Sequence, residues 1–164
     1  MPKYFLVDCP VYGTLGSETV MESEVAASPV KSLHYALDLV PGSEIFQGAR
    51  CYLTSKKLAE TLQATGLSGA QFASALVTAS PILLELHPDA RVGEYRWLKV
   101  TGALKADDFS LDKYSRLVVS DAALTVLRQA NMEGCEIFDY EAAPTPEEQM
   151  ARLFGEPEEQ NRKH

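Results

Sequence analysis

The chain has 164 residues, 46% hydrophobic and 23% charged, which is the size and composition of one globular domain able to bury a core without staples. A formal net charge of −8 disfavours a nucleic-acid partner, since an acidic surface repels phosphate backbones. No apolar run approaches the ~20 residues of a membrane span, and the opening "MPKYFLVDCPVYG" reads as a first strand rather than a signal peptide. A cytoplasmic location without a membrane partner is therefore expected.

Taken in chain order, "KYFLVD" reads as a strand. "GSETVMESEV" places Glu18, Glu22 and Glu24 in a loop or short helix. "SLHYALDLV" alternates Leu33, Tyr35, Leu37 and Leu39, as a half-buried strand does, with a helix beginning after Pro29 as the alternative, and Pro41-Gly42 marks a turn. "ILLEL" and "YRWLKV" read as two strands joined by "HPDARVG". "KADDFSLDKYS" reads as a polar loop. "TPEEQMARLF" fits a short helix, with Thr145 as cap, Pro146 at its first position and acids in the first turn. The last nine or ten residues read as a frayed tail.

Two stretches say nearly the same thing. "CYLTSKKLAETLQATGLSGAQF" and "RLVVSDAALTVLRQANMEGCEIF" align at a constant offset of 65, with Ser55 on Ser120, Leu62 on Leu127, Leu67 on Met132 and Gly69 on Gly134. Each begins with a short apolar run suited to a strand. A serine follows, placed to cap a helix by accepting from an orphan backbone N–H. Leu58, Ala59 and Leu62, or Ala123, Leu124 and Leu127, then share one helical face. Gly66 or Asn131 stops the helix in the left-handed cap conformation, and an extended stretch follows. Each phrase spans about 22 residues, short for a parallel crossover of ~30 or more, so its two strands are expected at an edge or apart from each other. The expected architecture is an α+β domain over residues 1–143, mostly antiparallel, with two repeated strand–helix–strand units. A C-terminal helix and flexible acidic tail are expected over 144–164.

These units, with "EYRWLKV" and the lead-in "ADDFSLDKYS", resemble a superfamily of bacterial immunity proteins first defined in myxobacteria, whose members neutralise cognate polymorphic toxins. The resemblance covers roughly residues 45–140, and its second copy is the closer match. It implies a non-enzymatic binder and brings no catalytic residues with it. One branch of the superfamily has paired C-x-x-C-G motifs that look metal-binding. This chain lacks them, so neither a metal nor another cofactor is implied.

Chemistry-bearing residues are sparse. Cys9, Cys51 and Cys135 are an odd number without C-x-x-C spacing, which argues against a disulfide framework or zinc ribbon and for small buried thiols. Nothing in the spacing joins them to His34, His87 or the terminal His164 as a nucleophile pair. Asp107-Asp108 lacks the alternating oxygen ligands of a calcium loop, and no phosphate-binding glycine motif occurs.

Charge is uneven. Residues 1–44 carry six acids and two bases, residues 45–132 eight and ten, and residues 133–164 nine and three. Acidic ends suit a basic partner, and acidic patches speed encounter and select partners. The resemblance, taken with this charge pattern, implies an immunity protein that occludes the active site of a toxin domain basic around that site. Its expected binding residues are Glu18, Glu22, Glu24, Asp107 and Asp108 for steering and Tyr95 and Trp97 as aromatic anchors. A small enzyme reversing a toxin's modification, or a non-catalytic adaptor, is the alternative.

Overall fold

The computed structural model describes residues 3–22, 30–49 and 51–154. β1 (Tyr4–Asp8), β2 (Gly13–Leu15), β3 (Val20–Met21), β4 (Val30–Ser32) and β5 (His34–Leu37) come first. β6 (Ile45–Gly48) and β7 (Cys51–Ser55) lead into helix α1 (Lys56–Thr65), followed by β8 (Ala70–Ser74) and β9 (Leu76–Ala79). A short helix α2 (Pro81–Leu86) precedes β10 (Tyr95–Val100), β11 (Phe109–Leu111) and β12 (Leu117–Ser120). Helix α3 (Asp121–Leu127), β13 (Glu136–Asp139), a 3-10 turn (Tyr140–Ala142) and helix α4 (Pro146–Phe154) close the chain. The fold is α+β and mostly antiparallel.

The repeated phrase is a repeated structure. Two four-stranded antiparallel sheets run β6-β7-β10-β8 and β11-β12-β1-β13. In each, a strand–helix–strand unit (β7-α1-β8 or β12-α3-β13) leaves a gap one strand wide. An antiparallel strand fills it: β10 in the first sheet, β1 in the second. The paired strands of each unit are thus not neighbours, which resolves why the phrase is too short for an ordinary crossover. Leu58 N–H donates to the Ser55 hydroxyl at 3.0 Å and Ala123 N–H to the Ser120 hydroxyl at 3.1 Å, so both serines cap as their position predicts. Gly69 and Gly134 both take left-handed φ, +87° and +82°.

The helix ends differ. Gly66 closes α1 at φ +71°, as expected. Asn131 does not do the same for α3, which ends three residues earlier, at Arg128 in right-handed backbone. Instead the Asn131 side chain accepts from Glu133 N–H at 3.0 Å, an Asx turn.

Two carboxylates join the units reciprocally. Glu44 accepts from the Ser55 hydroxyl at 2.9 Å and from Asn131 N–H, beyond the other unit's helix, at 2.7 Å. Asp108 accepts from the Ser120 hydroxyl at 2.6 Å and from Ser68 N–H, again beyond the other unit's helix, at 2.9 Å. Each acid thus ties its own helix start to the opposite helix's exit. Between the sheets and both helices lies one core, with Val7, Tyr52, Leu58, Leu62, Leu98, Phe109, Leu117, Leu124 and Leu127.

A second core covers the outer face of the first sheet. It packs Phe46, Leu53 and Trp97 against Tyr35 and Leu37 of the β2-β5-β9 sheet and Leu83 of α2. Two sequence expectations change here. "PILLEL" is helix α2, not a strand: Ser80 caps it, accepting from Leu83 N–H at 3.3 Å, and Pro81 takes the first position, where its missing N–H costs nothing. Part of the polar loop "KADDFSLDKYS" is strand β11, with Phe109 and Ser110 fully buried against β12. The C-terminal helix stands as expected, with Glu148 N–H donating to Thr145 at 3.2 Å. It is tied back by Arg116, which donates to the Pro144 carbonyl at 2.6 Å and the Gln149 side chain at 3.2 Å.

Candidate binding surface

The residues singled out from sequence do not converge. Glu18 and Glu22 are exposed, Glu18 in the turn after β2 and Glu22 just after β3; Glu24 lies outside the described residues. Asp107 accepts from Ala103 N–H at 2.7 Å, closing its own loop, and Asp108 is engaged in the clamp described above. Two donors from Ser68 and one from Ser120 outweigh the opposing effect of burial and hold the Asp108 carboxyl below the usual carboxylate range. The aromatic pair expected as interface anchors is packed in the core instead. Trp97 is 7% accessible, and Tyr95 is half-buried with its ring edge-on to Phe46 at 5.2 Å. β10 is an interior strand whose two faces are both covered, so alternation separates two cores here rather than core from solvent.

Glu22 and Trp97 both line a cleft of about 630 Å³, together with Gln47, Cys51, Tyr52 and Lys99. Lys99 lies over the Trp97 ring, 4.5 Å from its centroid. Burial pushes the Cys51 thiol up to about 11 and the Tyr52 phenol above its ordinary value, so both stay protonated at neutral pH. His34 is committed to the fold. Its Nδ1 accepts from Glu18 N–H at 3.1 Å, which leaves the proton on Nε2 to donate to the Thr78 hydroxyl at 2.7 Å.

An apolar ledge not singled out from the sequence lies at the end of β5 and on α2. Asp38 and Leu39 N–H donate to the Tyr12 carbonyl at 2.7 and 3.2 Å, and the Ser80 hydroxyl donates to the Asp38 carboxylate at 2.6 Å. These bonds fix the end of β5 against the start of α2. From that rigid corner Leu39, Val40, Ile82, Leu84 and Leu86 face outward, with Val40 58% and Leu86 62% exposed. Only Leu83 of α2 is buried. A helix of six residues has one inward face, so an apolar run of that length must leave side chains outside. Glu85 and Asp89 stand beside them, with His87 and Arg91. Apolar side chains grouped on a rigid support and rimmed by charge are typical of protein contact sites. The signal was present as four apolar residues, Ile82, Leu83, Leu84 and Leu86, directly after a serine–proline helix start. No protein-family model and no curated protein sequence matches the chain.

Among the described residues no helix is long and apolar enough to cross a membrane.

Proposed function

We propose that the chain is a cytoplasmic immunity protein that binds a cognate bacterial toxin domain and neutralises it by covering its active site, without catalysis. The apolar ledge of Leu39, Val40, Ile82, Leu84 and Leu86 carries the binding part of this reading. Such side chains are costly to leave in water and favourable to bury against a partner, at roughly 25 cal/mol per Å². The net charge of −8 selects the partner's chemistry: a basic toxin surface gains in encounter rate, while nucleic acid and anionic membrane are repelled. The toxin part rests on the resemblance of the paired strand–helix–strand units to the immunity superfamily.

The experiment is capture of the toxin by tagged protein from native cells, then co-expression of the captured domain with and without this chain. A roughly 1:1 complex and restored growth are expected. Leu86→Asp, which alters an exposed side chain, should weaken binding at least tenfold while leaving thermal stability unchanged. A captured domain whose toxicity persists in the presence of excess protein would overturn the reading. So would growth restored at amounts far below the toxin's, which would indicate a catalyst.

A further inference from the structure

Cys9 and Cys135 come from opposite ends of the chain and meet across one antiparallel ladder. β1 and β13 pair Val7 with Ile137 and Asp8 with Glu136, and one further step places Cys9 opposite Cys135. Both side chains turn toward the core between the sheets, Cys9 within it and Cys135 packed against it. Directly opposed residues of an antiparallel pair have Cα atoms ~4.5–5.5 Å apart, inside the range that a disulfide spans without backbone movement. Both thiols are free. Cys9 is buried and Cys135 half-buried, so a small oxidant reaches Cys135 first. We propose that Cys9 and Cys135 form a redox pair, in which a hydroperoxide oxidises Cys135 and Cys9 resolves it to an intramolecular disulfide.

The surroundings suit those roles. The neighbouring Cys9 thiol favours the Cys135 thiolate. Burial opposes this, the Ser43 hydroxyl at 3.5 Å helps, and the Asp8 carboxylate opposes it; the net effect brings Cys135 down to about 7. The same sharing, with burial and the Asp8 charge, keeps the proton on Cys9. In the first step the Cys135 thiolate attacks a peroxide oxygen. An S–O bond forms, the O–O bond breaks, hydroxide or alkoxide leaves, and the sulfur is oxidised by two electrons to a sulfenic acid. In the second step the Cys9 sulfur attacks that sulfur, the S–S bond forms, and the S–O bond breaks. The oxygen leaves as water, taking the Cys9 proton. Cys51 sits in the other core and takes no part.

The test is hydrogen peroxide added to the whole chain, with thiols blocked at intervals and the products mapped without reduction. The expected product is a monomer lighter by two hydrogens, with the Cys9 and Cys135 peptides joined and Cys51 still reduced. Its rate of formation should rise about tenfold from pH 6 to pH 8 as the Cys135 thiolate fills. Cys135→Ser should abolish the cross-link. Cys135 carried to sulfinic acid in the unaltered protein while Cys9 stays reduced would overturn the proposal, and this readout needs no variant to fold. A cross-link through Cys51, or between two chains, would overturn it equally.

Discussion

The first and second strand–helix–strand units share a plan but complete it differently. The first draws its central strand, β10, from the segment that follows it, so the whole sheet lies between Ile45 and Val100. The second takes β1 from the far N-terminus. Their surroundings differ too. The first sheet is covered on its outer face by the β2-β5-β9 sheet and α2. On the second, the 3-10 turn packs against β1 and Arg152 of α4 lies over the Phe138 ring. A duplicated plan therefore does not duplicate a surface: the layer added to one copy alone carries the exposed ledge.

The largest expected effect tests whether the copies are energetically one body. Leu62 and Leu127 occupy equivalent positions in the shared core, at 3% and 0% exposure. Truncating either to alanine should cost ~2–5 kcal/mol in urea unfolding. The double variant should depart from the sum, because both side chains line the same core. Additivity within ~0.5 kcal/mol would instead mean that the units are stabilised separately.

Equivalent glycines sharpen the contrast. An alanine at Gly69 or Gly134 would carry about 1–2 kcal/mol of left-handed strain. At Gly69 the added carbon would also overlap the Phe109 carbonyl oxygen and lie 3.1 Å from Gly102 Cα, whereas at Gly134 its nearest neighbours are Pro10 at 3.4 Å and the Tyr12 hydroxyl at 3.9 Å. Gly69→Ala should therefore be clearly the more destabilising in a thermal melt. Equal melting temperatures for the two variants would show that the β11 approach does not constrain the first unit.

The smallest effect concerns the clamp. Asp108 has a folded-state pKa below its ordinary 3.8, so its contribution is fully present above that value and is lost as pH falls through the lower, folded value. Asp108→Asn should flatten the acid side of a melting-temperature profile between about pH 4 and pH 2. An unchanged profile would mean that the carboxylate's hydrogen bonds to Ser120 and Ser68 do not discriminate charge.

The legible parts of the fold were local. A serine followed by an apolar helical face, and a glycine where the chain must turn, act within a few residues, and Ser55, Ser120, Gly69 and Gly134 all stand where their spacing indicated. The partners of Glu44 and Asp108 lie up to 87 residues away in sequence, and no local pattern announces them. "PILLEL" was ambiguous, because Ile82, Leu84 and Leu86 fit a two-residue period as well as a short helix. The helix start at Ser80-Pro81 was the deciding signal. Trp97 shows the limit of alternation: it says that two faces differ, not that one of them is wet. The candidate surface was the least legible, since exposure of Leu39 and Leu86 is settled only by what the rest of the chain leaves uncovered.

The strand β1 has a consequence for the order in which the protein is made. It is synthesised before the other strands described, yet both of its ladder partners, β12 and β13, come after the whole of the first sheet. The first sheet can close while synthesis is still under way. β1 must wait, an extended apolar segment without its sheet, until Asp139 has been added. A chain that stops short of β13 leaves one edge of β1 as an unpaired row of N–H and C=O groups, open to pairing with another strand.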